Sequence, residues 1–233
     1  EKEKRTKLLD FLEYTRTGGD AQELYLLGDL FDFWFEWYHV IPKYWFPVLY
    51  RLRKLVDSGI IVNFLPGNHD FYTGRFLQEE IGLRCFKDSC EFERGGKRFF
   101  LAHGDGYAKK DRGYRLLKKI IRSPVSIFLY KTLISPDLGM QIARLASYSS
   151  RQLVDIDRVL WAEEYYRFAQ KKFLEGFDYV IVGHIHYPVI KEEAQGGKVF
   201  ACCGDWMTQF SYTRFDGDRL TLEYWVRGAG LDL

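Results

Sequence analysis

Four times in this chain a strand-like apolar run stops abruptly in side chains that bind metals or move protons. Leu26-Leu27 gives way to Gly28-Asp29, Phe64-Leu65 to Pro66-Gly67-Asn68-His69-Asp70, Leu101-Ala102 to His103-Gly104-Asp105, and Ile181-Val182 to Gly183-His184-Ile185-His186. Four of the five histidines sit in these turns, and His39 is the exception. In an open α/β sheet, ligands gather beyond the carboxyl ends of the strands, so four such turns have one place to meet. Glycines next to the polar residues allow close backbone approach there. Any one of these histidines alone reads as a hydrogen-bonded core residue. All four together read as a metal centre.

The donor types narrow the chemistry. Asp, Asn and His are hard-to-borderline ligands that suit Mn²⁺, Zn²⁺ or Fe²⁺ better than a thiolate site would. A carboxylate shared between two metals about 3.5–4 Å apart activates water and clamps a phosphoryl group. His184 and His186 alternate along an extended backbone and would point to opposite sides, so Gly183 is read as the end of its strand.

The rest of the chain frames these turns. An amphipathic helix is expected over about 3–17, with Leu8, Leu9, Phe11 and Leu12 among charges, ended by Gly18-Gly19. Strands are expected at Leu24–Leu27, Ile60–Leu65, Cys90–Arg94, Arg98–Ala102, Tyr179–Val182, Val189–Glu192, Val199–Cys203, Gln209–Phe215 and Leu220–Val226. Helices are expected over Tyr44–Ser58 and Arg75–Glu80. Arg94-Gly95-Gly96-Lys97 reads as a hairpin turn, as do Gly196-Gly197 and Asp216-Gly217. The stretch 107–175 lacks strands and reads as helices broken at Pro124, Pro136 and Gly139. The expected architecture is an α/β sandwich over 1–106 and 176–233, interrupted by a helical insertion over 107–175.

Bulk properties exclude several classes. The 233 residues are 47% hydrophobic and 18% aromatic, ample for a large core. A net charge of +2 gives no global field for nucleic acid, and the basic run 109–122 carries a single aromatic residue, Tyr114. Cys85, Cys90, Cys202 and Cys203 form no C-x-x-C and read as reduced core residues of a cytoplasmic protein. No run of about 18 apolar residues spans a bilayer. The Trp34, Phe35, Trp37, Trp45 and Phe46 cluster is read as core or cap packing, and His39 receives no role.

Gly28-Asp29, Gly67-Asn68-His69-Asp70, His103-Gly104-Asp105 and Gly183-His184-Ile185-His186 resemble the four-part signature of the calcineurin-like metallophosphoesterases. The resemblance implies a four-layer α/β/β/α sandwich and two divalent metals. It implies that Asp29 bridges them, that Asn68, His103 and His184 hold one, and that His186 holds the other. By the same resemblance His69 protonates the leaving oxygen or stabilises transition-state charge, with Asp70 orienting its ring. Asp32 and Asp105 would orient ligands without binding metal. The family opens with an Asp-x-His turn after a first strand. No such motif precedes Gly28-Asp29, and the expectation is a segment upstream of Glu1.

Gly28-Asp29-Leu30-Phe31-Asp32-Phe33-Trp34, Cys203-Gly204-Asp205-Trp206, and Asp111 and Tyr114 after the third turn resemble the UDP-2,3-diacylglucosamine hydrolases of lipid A synthesis. That branch implies pyrophosphate cleavage of a nucleotide-linked acylated sugar, generally with Mn²⁺. Asn68, Asp111, Tyr114, Arg115 and Lys118 are then the candidates for substrate binding. In well-known members of the branch an Arg stands where this chain has His69. The basic run also carries Leu116, Leu117, Ile120 and Ile121 at helical spacing. Such a helix lies at an anionic membrane surface, as at the inner membrane, or lines a pocket for phosphates and acyl chains. Two alternatives stay open: a phosphoesterase for another nucleotide or lipid phosphate, and a non-catalytic lipid-binding or scaffold protein on the same fold.

Overall fold

The alternation expected of buried strands governs how the sheets stack. In the computed structural model, which describes residues 2–18, 20–108, 112–143, 145, 158–194 and 196–226, the strands run in three sheets. The first joins β1 (Glu23–Leu26), β2 (Ile61–Phe64) and β3 (Arg84–Cys85), all parallel. The second has the order β4 (Ser89–Arg94), β5 (Lys97–Ala102), β6 (Tyr179–Val182), β8 (Val199–Cys202), β7 (Val189–Glu192). β9 (Ser211–Phe215) and β10 (Leu220–Tyr224) form an antiparallel hairpin.

Successive side chains of a strand point to opposite faces. On β5, β6 and β8, Phe99, Leu101, Tyr179, Ile181, Val199 and Ala201 face the first sheet, where Tyr25, Leu27 and Leu65 meet them. Their neighbours Phe100, Ala102, Val180, Val182, Phe200 and Cys202 face the other way, onto the helix α6 (Arg158–Leu174). The outer face of the first sheet is covered by α1 (Lys2–Thr17) and α2 (Phe46–Asp57). Leu8, Phe11, Leu12, Val48, Leu49, Leu52 and Leu55 recur there at helical spacing and are buried against Val62 and Phe64. The order helix, sheet, sheet, helix is the expected four-layer sandwich.

Several boundaries differ from expectation. The second helix opens as a 3₁₀ turn, Lys43–Trp45, and becomes α-helical at Phe46 because Pro47 fits the first turn, where its missing N–H costs nothing. The helix expected over Arg75–Glu80 is the single turn α3 (Phe76–Glu79). The breaks expected at Pro124 and Pro136 are present, each proline opening the next helical stretch: α4 (Arg112–Ile121) precedes α5 (Pro124–Leu133), and residues 136–143 are helical. Gly139 lies inside that last stretch. It is small because a Cβ there would meet the Tyr130 hydroxyl at 2.7 Å and the Trp37 ring at 2.9 Å. α6, assigned by sequence to the insertion, is instead the outer layer of the sandwich, with Tyr165 and Ala169 fully buried against the sheet. Phe46 is 67% exposed, unlike the rest of its aromatic cluster. The four cysteines are unpaired thiols, Cys90 and Cys202 buried and the other two half-buried. No helix among the described residues is long and apolar enough to cross a membrane. Gly19, Lys109, Lys110 and Asp111 lie outside the described residues.

Candidate metal centre and active site

The four turns meet beyond the carboxyl ends of β1, β2, β5 and β6. Gly28 and Gly67 make this contact: a Cβ on Gly28 would lie 2.5 Å from the Gly67 nitrogen, and one on Gly67 would lie 2.1 Å from Asp29 Oδ1. Just past the glycines the backbone is strained. Asp29, His184 and His186 have φ of 52°, 64° and 50°, a left-handed conformation that costs a residue bearing a Cβ about 1–2 kcal/mol. Such strain clusters where geometry serves function, and all three are candidate ligands.

His103 is at the centre and is 2% exposed. Its Nδ1 lies 2.6 Å from the Leu27 carbonyl oxygen, which only accepts, so Nδ1 carries the proton. Its Nε2 then faces a group of electron-pair donors: His184 Nδ1 at 3.0 Å, Asn68 Oδ1 at 3.3 Å and Asp29 Oδ2 at 3.3 Å. Donor atoms of Asp29, His103 and His184 all lie within 4.8 Å of one another. Lone pairs converging on one point need a cation between them, so this donor set fits a divalent metal.

The electrostatics express the same demand. Burial opposes ionisation of Asp29, but the charges and hydrogen bonds of His103 and His69 hold its carboxyl well below the usual range. Burial disfavours a charged His103, yet Asp29 outweighs that and raises it to about 9. His184 is pushed down to about 3, chiefly by burial, which leaves it neutral and able to ligate.

His69 sits beside this group. Its Nε2 is 3.7 Å from Asp29 Oδ2 and its amide donates to Asp29 Oδ1 at 2.9 Å. Its carbonyl accepts from the Trp34 amide at 3.0 Å. Asp70, expected to orient the His69 ring, gives both oxygens to main-chain donors: Gly67 N at 2.7 Å, Asp29 N at 3.1 Å and Phe31 N at 3.4 Å. It fastens the second turn to the first. Burial and the Asp29 charge raise its pKa.

Other candidates land differently. His186 stands beside Asp205, with Nδ1 3.9 Å from Oδ2, rather than within the Asp29–His103–His184 group. Asp205 was read only as part of the Cys203-Gly204-Asp205-Trp206 motif and was given no role. It is held by the amides of Met207, Thr208 and Gln209 at 2.8, 2.6 and 3.2 Å. Asp105, expected to orient a ligand, instead anchors the insertion: it accepts from the Tyr114 hydroxyl at 2.9 Å and pairs with Lys118 at 3.0 Å and Arg122 at 3.2 Å. Arg115 donates to the carbonyls of Gly106 and Ala108 at 3.0 and 2.9 Å. Three residues expected to bind substrate, Tyr114, Arg115 and Lys118, thus have partners inside the protein, because α4 must be fastened to the third turn. Asp32 is half-buried in the turn after Asp29.

An Asp-His-His-Asn cluster built around the buried His103 at the strand ends of a four-layer sandwich defines a metal-dependent phosphoesterase. The chain belongs to the calcineurin-like phosphoesterase family, whose model matches residues 2–188. It is 29% identical over 221 residues to a UDP-2,3-diacylglucosamine hydrolase of Porphyromonas gingivalis, covering 88% of this chain and 84% of that one. It is 32% identical over 234 residues to one of Stenotrophomonas maltophilia, covering 94% and 91%. An archaeal phosphodiesterase of solved structure matches with a TM-score of 0.45 at 13% identity, covering 94% of this chain and 92% of that one.

Proposed function

We propose that the protein hydrolyses the pyrophosphate bond of UDP-2,3-diacylglucosamine, a step of lipid A synthesis, releasing UMP and the acylated sugar phosphate. The observation that carries the reading is the convergence of Asp29, Asn68, His103 and His184 with His69 at the edge of the cluster. The names of the relatives, which match over about nine-tenths of the chain, supply the substrate.

Asp29, Asn68, His103 and His184 would hold a divalent metal, Mn²⁺ in this reading, and His186 would hold a second together with the Asp-x-His turn that the family resemblance implies. Such ions neutralise phosphoryl charge and make water nucleophilic near neutral pH. The chain's own residues orient the rest. The Leu27 carbonyl fixes the His103 tautomer, so that Nε2 is always the ligating atom. Asp70 locks the Gly67 turn against Asp29, which keeps Asn68 and His69 on one side of the substrate. From there His69 donates a proton or positive charge to the leaving phosphate. Helices α4 and α5 offer the acyl chains an apolar seat: Leu116, Ile120, Val125, Phe128 and Leu133 are 55–71% exposed. With the exposed Lys119 beside them, they also suit peripheral contact with an anionic membrane surface.

Turnover of UDP-2,3-diacylglucosamine with Mn²⁺, followed as UMP release, tests this reading. Release that falls at least tenfold when the acyl chains are removed is the expected result. Cleavage of bis(p-nitrophenyl) phosphate without UMP release would leave a phosphoesterase of another substrate. No cleavage of either by the metal-loaded protein would favour the non-catalytic reading.

The expected Asp-x-His strand has a place in this reading. Among the described residues β1 pairs with β2 alone and β9 with β10 alone. A cavity of about 900 Å³ lies between their free edges, lined by Leu24 and Leu26 of β1, Thr213 and Phe215 of β9, and Leu8 and Phe11 of α1, and it reaches Asp29 and His186. A strand parallel to β1 and followed by α1 would complete a βαβ unit there. Fusing an Asp-x-His strand ahead of α1 is expected to raise Mn²⁺ stoichiometry from one to two per chain. An unchanged stoichiometry would reject this placement.

A further inference from the structure

Arg122 reads in the sequence as the last of a run of basic residues on an exposed helix. Its surroundings are different. Its side chain is only 18% exposed, and it lies just past the end of α4, reaching back over the sandwich. One guanidinium nitrogen, Nη2, donates to the Gly67 carbonyl at 2.9 Å and to Asp105 Oδ2 at 3.2 Å. The other, Nη1, donates to Asp88 Oδ1 at 3.2 Å, and the group lies 5.6 Å from the centre of the Phe71 ring. Lys118 shares both carboxylates, at 3.0 Å from Asp105 and 3.2 Å from Asp88. Two anions and two cations therefore balance, and Asp105 is satisfied by Lys118 and Tyr114 without Arg122. The hydrogen bond that Arg122 makes and Lys118 does not is the one to Gly67.

Gly67 is the pivot of the turn that carries Asn68 and His69. Its N–H is held from inside the sandwich by Asp70 at 2.7 Å, and its C=O is held from the insertion by Arg122. The intervening atoms cannot move toward Asp29, where even a methyl group would clash. The planar fork of arginine makes two directed bonds at once, whereas a lysine ammonium is a single point charge. We propose that Arg122 is a positioning residue for the catalytic turn. By fixing the Gly67 carbonyl it couples the seating of α4 on the sandwich to the placement of Asn68 and His69. The insertion then both offers a surface to the substrate and completes the geometry of the site.

This inference rests on the phosphoesterase reading, so wild type is assayed first on bis(p-nitrophenyl) phosphate, which has no acyl chain or uridine for the insertion to bind. Misplacing a catalytic group by about 1 Å costs on the order of a hundredfold. Arg122→Ala is accordingly expected to lower kcat between tenfold and a hundredfold with KM changed less than twofold. Arg122→Lys is expected to recover less than a third of the loss, and Asp88→Asn, which removes the charge of the exposed partner, to stay within twofold of wild type. Amide hydrogen exchange of Asn68 and His69 in Arg122→Ala should speed up at least tenfold while that of β6 is unchanged. A rise in KM alone would make Arg122 a substrate contact and overturn the inference. Full recovery by lysine would reduce it to a charge effect and overturn it too, as would unchanged exchange at Asn68 and His69. If wild type cleaves nothing, the phosphoesterase reading fails, and the exchange measurement still decides whether Arg122 holds the turn.

Discussion

Asp29→Asn is expected to abolish tight metal binding and lower phosphodiester hydrolysis by at least about a thousandfold. Removing a group that merely supports a metal ligand costs roughly 10–100-fold in affinity, and Asp29 is the one carboxylate in the Asp29–His103–His184 group. Losing a single preorganised electrostatic contact to a transition state costs about 10²–10³ in kcat, and this change loses the metal that would make several. The fold should survive. Asparagine keeps the shape of the side chain and an oxygen for the His69 amide, which Asp29 Oδ1 accepts at 2.9 Å. The change also relieves the repulsion between Asp29 and the buried carboxyl of Asp70, against which stands the lost attraction to His103. Thermal denaturation with and without Mn²⁺ separates the two effects. A metal at 100 times its Kd stabilises by about 2.7 kcal/mol, which is a rise in Tm of roughly 5–10 °C for a chain of this size. Wild type should show that rise and Asp29→Asn less than a fifth of it, while the metal-free Tm values stay close. A full metal-induced rise in the variant would remove Asp29 from the centre.

The part of this site that could be read in the sequence is the part that rests on local rules. A strand has a period of two, so Phe99-Phe100-Leu101-Ala102 had to present side chains to two different layers, and both layers are filled. The turns were legible because glycine and proline punctuate an apolar run where it must stop, and the polar residues that follow have few other uses. What the sequence hid depends on partners far along the chain. Arg122 meets Asp105, Asp88 and Gly67 across 17, 34 and 55 residues, and nothing local distinguishes it from Lys119, which faces solvent. The family resemblance implied that Asp70 orients the His69 ring. The Asp70 oxygens serve backbone amides instead, because two glycine turns packed together leave N–H groups that need an acceptor. α6 was assigned to the insertion because an amphipathic pattern says that a helix packs, not what it packs on.

His69→Ala is expected to lower kcat by about a hundredfold on a pyrophosphate and by about a thousandfold or more on an alkyl phosphodiester. General acids contribute typically 10²–10⁴-fold, and the benefit grows with the basicity of the group that leaves. A phosphate monoester, with a second pKa of about 6, departs from a pyrophosphate without needing a proton. There His69 would act by charge, its Nε2 3.7 Å from Asp29 Oδ2. An alkoxide does need a proton, so the same substitution removes more. The contrast bears on substrate class, because a chain built for pyrophosphates tolerates any fixed cation at this position. His69→Arg keeps a cation and loses the transferable proton. It should therefore restore most of the pyrophosphate activity lost in His69→Ala and almost none of the alkyl diester activity. Metal affinity, read from the Mn²⁺-induced Tm rise, should be the same in all three proteins, since His69 supplies none of the proposed ligating atoms. Equal losses on both substrates, unrecovered by arginine, would instead make His69 an obligatory proton donor and shift the reading toward phosphodiesters with basic leaving groups.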